Sequence, residues 1–222
     1  MKKTLIFIAF LICFAISINA YTFNTGIIFN NTTNFANVSA VSGSRAIGNG
    51  FGSGILASFP ITDNIESGIQ ISYTGYNYTF SDRIMSQTID YQLHISNLST
   101  KLFGIYNLGL YKNVYPEILF GLMINYGVDG KYFSRIRNSR TLTITDLNDI
   151  DLNTDILIDV GLNLKYKLYI YDKIVYITPG IDLIYNLTGS GSQIGYINLN
   201  YSPNLTILLS IKTTMPISFI YK

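Results

Sequence analysis

Asn153-Thr-Asp-Ile-Leu-Ile-Asp-Val-Gly-Leu-Asn-Leu-Lys-Tyr-Lys-Leu-Tyr-Ile-Tyr171 is the stretch whose reading decides the fold. Thr154, Ile156, Ile158, Val160, Leu162, Leu164, Tyr166, Leu168 and Ile170 fill every even position. Asp155, Leu157, Asp159, Gly161, Asn163, Lys165, Lys167 and Tyr169 fill the odd ones. Successive side chains of a strand point to opposite sides of the pleat, so a period of two predicts a strand with one apolar and one polar face. On a helix of 3.6 residues per turn the same apolar positions would scatter round the whole circumference. At roughly 3.3 Å per residue this strand is about twice the common length and crosses a bilayer at a tilt.

The same period recurs on both sides of it. Residues 21–30, 50–59, 65–74, 91–106 and 114–127 read as strands before it, 175–187 and 197–211 after it, with the last apolar face running on through Met215, Ile217, Phe219 and Tyr221. In 91–106 the apolar phase changes from odd (Tyr91, Leu93, Ile95) to even (Leu98, Leu102, Tyr106), which predicts a β-bulge near Ser96 and Asn97. Segments 31–49, 80–90, 129–151 and 189–195 read as loops. Tight turns are expected at 61–64, around Gly109 to Asn113, and at 171–173. Long and short connections thus alternate, as in a meander of hairpins. The prediction is an all-β, antiparallel up-and-down transmembrane barrel of eight strands, with ten as the alternative and residues 212–222 as either strand or extension.

Composition bounds what surrounds the barrel. Hydrophobic residues make up 48% and charged residues 13%, about half the charged share usual for a soluble domain. Residues 1–20 read as a secretory signal peptide, with Lys2 and Lys3 before an apolar run and Ala20 at the cut, leaving 21–222 as the barrel domain. Without Lys2 and Lys3 the 15 basic residues become 13, equal to the 13 acidic ones, so nucleic-acid binding has no electrostatic support. The lone Cys13 lies in the signal, so no disulfide is expected in the mature chain. The six Asn-x-Ser/Thr sequons reflect an Asn-rich chain more simply than glycosylation. The polar face carries mainly Gly, Ser, Thr, Asn and Gln, where a water-exposed face would carry many Lys and Glu. Small uncharged residues suit a narrow lumen, and an outer face of Ile, Leu, Val and Phe with Tyr near the strand ends suits lipid.

The segment 90–128, with Leu98-Ser-Thr-Lys-Leu and Val114-Tyr-Pro-Glu-Ile-Leu-Phe-Gly, resembles the middle hairpin of the small PorT-like and OmpX-like outer-membrane β-barrel domains. Asp159-Val-Gly-Leu-Asn-Leu and Pro179-Gly-Ile-Asp-Leu-Ile-Tyr are similar to the hairpin that follows in that family. The resemblance implies location in a bacterial outer membrane among lipid and lipopolysaccharide, and insertion by the barrel assembly machinery through a terminal aromatic, displaced here by one residue in Phe219-Ile-Tyr-Lys222.

Four groups of residues carry candidate chemistry. His94-Ile-Ser96-Asn97 is similar to the His-x-Ser-Asn element of outer-membrane lipid A 3-O-deacylases, and His94 and Ser96 share one strand face. A hydrolase also needs a carboxylate to orient the imidazole, and the next acid in the chain is Glu117. By alternation His94 is expected in the lumen, and catalysis is not expected. Glu66, Lys101, Glu117, Asp159, Lys165, Lys167, Asp182 and Lys212 fall on the polar face, where an eight-stranded barrel has room only for side chains that pair and plug it. Lys131, Arg135, Arg137 and Arg140 are candidates for binding anions at the surface. Gly48, Gly50, Gly52 and Gly54 read as small lumen residues, and no metal or cofactor motif occurs. The expected role is structural or surface interaction through loops 31–49 and 129–151, with a narrow channel, a lipid A hydrolase and a soluble secreted barrel as alternatives.

Overall fold

In a computed structural model the residues described are 22–39, 44–84, 87–137, 142–146, 154–188, 192–194 and 199–218. The predicted signal segment and the aromatic tail at 219–222 lie outside them. The strands are β1 (Thr22–Ser39), β2 (Ser44–Pro60), β3 (Ile65–Ile84), β4 (Gln87–Asn107), β5 (Val114–Ile136), β6 (Leu142–Asp146), β7 (Asp155–Ile170), β8 (Lys173–Asn186), β9 (Ser192–Ile194) and β10 (Leu199–Ser218). Eight of them run antiparallel in the order β1, β2, β3, β4, β5, β7, β8, β10, and β10 pairs back onto β1 to close a ring. The short β6 and β9 are additions on β5 and β10.

Closure fixes the stagger of the strands. The paired residues that leave β1 at Phe35 are Leu205, Tyr185, Ile158, Leu122, Leu102, Ile69 and Ala57, and the path regains β1 at Thr25, ten residues away. For eight strands such a stagger corresponds to a tilt of roughly 35–45°. The tight connections 61–64, 108–113 and 171–172 lie at one end, here the turn end. Ile61 N–H donates to the Ile65 carbonyl at 2.8 Å, and Lys112 and Tyr171 take the left-handed conformations (φ 58° and 52°) that reverse the chain.

The strands are longer than the periodicity suggests. Segments 31–49 and 80–90 are mostly paired strand, and 129–151 begins as the continuation of β5 to Ile136 with β6 alongside. Polar residues there break the apolar pattern without breaking the ladder, because pairing uses backbone groups that every residue but proline offers. The last tract is a single strand that pairs β1 from Asn200 to Ser218, so residues 212–218 belong to the ring. Its one irregularity, opposite Phe35 and Ala36, falls beside Pro203, which has no N–H for the ladder.

The expected bulge in β4 is also corrected. β4 pairs β3 without interruption from Gln87 to Tyr106, and the extra residue is Val128 of β5, since Ser96 faces Asp129 while Asn97 faces Gly127. Tyr91, Leu93 and Ile95 therefore stay on the inward face and are buried. They are apolar because the lumen changes character along its length: near the loop end it is filled by Tyr76, Tyr78, Phe80, Tyr91, Leu93 and Ile95, with Ala36 and Ala46. The Phe80 and Tyr91 rings stack at 5.0 Å. Glycines on β2 make room for this layer: a Cβ at Gly50 would stand 2.9 Å from the Tyr76 ring, and one at Gly48 would stand 2.2 Å from the ring of Tyr78.

Tyr78 is fully buried. Tyr78→Ala is expected to destabilise the barrel by about 3–5 kcal/mol, the usual cost of deleting a buried aromatic, and Gly48→Val to do so by clashing with that ring. Urea unfolding of refolded protein followed by circular dichroism measures both.

Candidate functional site

Below the aromatic layer the lumen combines buried charges with two apolar clusters, Met123, Leu157, Ile184 and Leu208 in one and Ile28, Leu56, Phe103, Ile105 and Leu119 in the other. β4 supplies Lys101, and β7 and β8, the second and third strands along from it in the ring, supply Asp159 and Asp182. Lys101 Nζ donates to Asp159 Oδ2 at 2.7 Å and lies 3.5 Å from Asp182 Oδ2. These three side chains are at most 2% exposed. Gly161 stands opposite Asp182 in the β7–β8 ladder, and its missing Cβ leaves the space the carboxylate occupies.

Nearer the turn end Lys165 of β7 bridges two strands, with Nζ 2.6 Å from Glu66 Oε1 of β3 and 3.4 Å from Glu117 Oε1 of β5. It also lies 4.8 Å from the centre of the Tyr176 ring. Ser58 Oγ donates to Glu66 at 3.1 Å, and Lys212 Nζ of β10 donates to Asn163 Oδ1 at 3.2 Å. Glu66, Glu117, Lys165 and Lys212 border a cavity of about 30 Å³ together with Leu56, Phe103, Ile105 and Leu119, a volume for one or two waters. Lys167, expected among these charges, stands at the turn-end rim with Nζ 5.2 Å from the Tyr169 ring. Past Lys165 the β7 side chains have run beyond the filled interior.

His94 lies on the outer face of the barrel and not in the lumen. The expectation rested on a phase change in β4 that does not occur: odd residues point inward along the whole strand, which puts His94 and Ser96 outside. The orienting partner of His94 is Asn77 Oδ1, bonded to Nδ1, and Phe133 packs edge-on against the ring at 5.2 Å. An amide in that place fixes the ring without the negative charge that stabilises an imidazolium in acyl transfer.

The surface basic residues are dispersed. Lys131 is exposed beside His94 on β5, and Arg135 lies opposite Asp90 in the β4–β5 ladder. Arg137 Nη2 donates to Asp90 Oδ1 at 2.7 Å and its Nε to Oδ2 at 3.2 Å, with Ser81 Oγ donating to the same carboxylate at 2.7 Å. Arg140 lies outside the described residues. Among the described residues no three His, Cys, Asp or Glu side chains converge as metal ligands.

No family model and no curated protein sequence matches the chain. Among solved structures it is similar to outer membrane protein OprG from Pseudomonas aeruginosa (11% identity, 90% of this chain and 97% of that one, TM-score 0.49). It is also similar to Neisserial surface protein A (18%, 87% and 97%, TM-score 0.39) and to Ail, the attachment invasion locus protein of Yersinia pestis (9%, 87% and 98%, TM-score 0.38).

Two measurements test this arrangement. Removing one partner of a buried ion pair strands the other, so Lys101→Met is expected to cost about 3–5 kcal/mol in urea unfolding, with part recovered in Lys101→Met/Asp159→Asn. At the rim, the Arg137 guanidinium and then the Ser81 hydroxyl hold the Asp90 carboxyl below its ordinary value. A lowered pKa contributes stability that is fully present above the ordinary aspartate range and is lost as pH falls through the lowered value. Amide exchange at the tip of the β4–β5 hairpin is therefore expected to speed up only below the ordinary aspartate range, and Asp90→Asn to remove that acid dependence.

Proposed function

We propose that this protein is a bacterial outer-membrane β-barrel whose lumen is closed and whose function resides on its outer surface, in a structural or surface-interaction role without catalysis. One observation carries the reading: an apolar belt rings the outside while six charged side chains, Lys101, Glu117, Asp159, Lys165, Asp182 and Lys212, are buried inside, the reverse of a barrel dissolved in water. Every strand of the ring contributes to the outer belt, as in Ile27, Ile55, Ile71, Leu102, Phe120, Leu162, Leu183 and Ile211, which are 39–63% exposed. An unbroken apolar girdle is far larger than the few hundred Å² that soluble monomers expose. Strands of 14–23 residues exceed the 9–11 or so needed to cross a bilayer, so the paired wall stands clear of the membrane at the loop end. Export through the amino-terminal segment and insertion by the barrel assembly machinery belong to the same proposal.

The filled lumen favours closure over conduction. Three lysines are engaged with carboxylates or an amide in its lower half, an aromatic layer fills the upper part, and the cavity between Glu66 and Lys212 is only about 30 Å³. An outward-facing His94 oriented by Asn77 gives the hydrolase alternative no support. The protein refolded in detergent is expected to migrate differently on gels when unboiled and boiled, and to give no regular current steps in planar bilayers. Spontaneous solubility without detergent overturns the membrane reading. Reproducible single-channel steps overturn closure.

A further inference from the structure

The charges of the lumen do not balance locally. Toward the turn end Glu66 and Glu117 stand with Lys165 and Lys212, two against two around one cavity. Farther in, Asp159 and Asp182 share the single ammonium of Lys101. One negative charge is therefore left without a counterpart among the described residues. A buried charge is costly unless a group of opposite sign meets it.

The same place holds oxygen atoms that no donor reaches. Asp159 Oδ1, Asp182 Oδ1, Ser210 Oγ and Asn30 Oδ1 make no hydrogen bond, on side chains at most 3% exposed. Lys101 Nζ comes only to 3.5 Å from the second Asp182 oxygen, and Lys212 Nζ donates instead to Asn163 Oδ1. The positions are contiguous. The Asp182 carboxylate lies over Gly161, the next inward position after Asp159 on β7. Ser210 stands opposite Gly180, the inward position before Asp182 on β8, and its Oγ is 3.2 Å from where a Cβ at Gly180 would stand. Asn30 of β1 is the next partner of Ser210. Unsatisfied buried polar groups are rare, and several together mark a place for an ion or ordered water. An unsatisfied donor, Asn163 Nδ2, is present too, but neither an amide nor water supplies the missing charge.

From this we infer that the lumen holds one alkali-metal cation against Asp159 and Asp182, with Ser210 and Asn30 as neutral oxygen ligands. Hard cations take carboxylate, amide and hydroxyl oxygens. A single positive charge brings the group of Lys101, Asp159 and Asp182 to neutrality, where a divalent ion would overshoot. The aromatic layer lies toward the loop end and the Lys165 network toward the turn end, so the ion is enclosed as the ring closes. The inference goes beyond the proposed function and uses from it only the closed lumen.

Urea unfolding of detergent-refolded protein tests it in sodium, potassium and N-methylglucamine chlorides of equal ionic strength. An ion bound only by the folded state stabilises that state with saturation. The midpoint is expected to rise saturably with Na⁺ or K⁺ and to stay low in N-methylglucamine, an organic cation too large for the lumen. Asp182→Asn leaves Lys101 and Asp159 balanced and is expected to abolish the cation dependence, while Lys167→Ala, at the rim, keeps it. Ser210→Ala is expected to raise the half-saturating concentration about tenfold, the effect of losing roughly 1.4 kcal/mol of binding, and gives a second reading if Asp182→Asn does not fold. Equal midpoints in the three salts overturn the inference and leave a proton to balance the pair. A dependence that Asp182→Asn or Ser210→Ala keeps unchanged also overturns it, as does stabilisation by Mg²⁺ but by neither alkali ion. The gel shift on boiling separates the failures: a chain that shows it without cation dependence lacks this site alone, whereas a chain that never shows it overturns the closed barrel itself.

Discussion

Ring closure is the constraint from which the rest follows. Once β10 pairs with β1 at a stagger of ten residues, every strand has two neighbours and the ring has no open edge in its paired region. The same closure fixes the width of the interior. Eight tilted strands leave a space that side chains just fill, so each inward position must be matched in size to those across from it. This explains why large and small residues are complementary between neighbours: Gly48 and Gly50 lie against Tyr78 and Tyr76, Gly161 against Asp182, and Gly180 against Asn163. The glycines serve here by the volume they leave empty, since their strand backbones are of the kind any residue adopts.

Filling the lower lumen with charge has its own logic. Four carboxylates (Glu66, Glu117, Asp159, Asp182) and three lysines (Lys101, Lys165, Lys212) stand within it, drawn from β3, β4, β5, β7, β8 and β10. Desolvating such groups offsets much of what their attraction contributes, so the network is a weak source of net stability. Its geometry is demanding, however. Lys101 meets Asp159 only if β4, β5 and β7 hold their observed register, and Lys165 reaches Glu66 only across the barrel. A slip of one residue in any of these six strands would turn a charge onto the apolar outer face. The ion pairs thus act against misregistered barrels more than they strengthen the correct one.

The outer face divides into zones for a simple reason. The ladder needs only backbone groups, so it continues past the point where the apolar belt ends, and side chains there are free to be polar. This produces the Asn77, His94 and Lys131 row and the Asp90–Arg137 pair above it.

The alternation in residues 153–171 and its neighbours was sufficient to specify antiparallel order and which face is apolar, because a period of two is a local property of the backbone; it favoured eight strands with ten left open, and closure of β10 onto β1 decided for a ring of eight. The lumen charges were also legible, since odd phase in β7 and even phase in β3 and β8 put them on one face. What a single strand cannot reveal is which inward residues end up across the barrel from one another. That depends on stagger, a property of the closed ring, and it alone decided that Lys101 joins Asp159 while Lys167 falls at the rim. The same holds for His94. Tyr91, Leu93 and Ile95 read as an outer face because apolar residues on the other strands face out, and only the aromatic layer inside the loop end showed them to be filling. Polar strand extensions were read as loops because periodicity detects contrast between faces, whereas hydrogen-bonded pairing requires none.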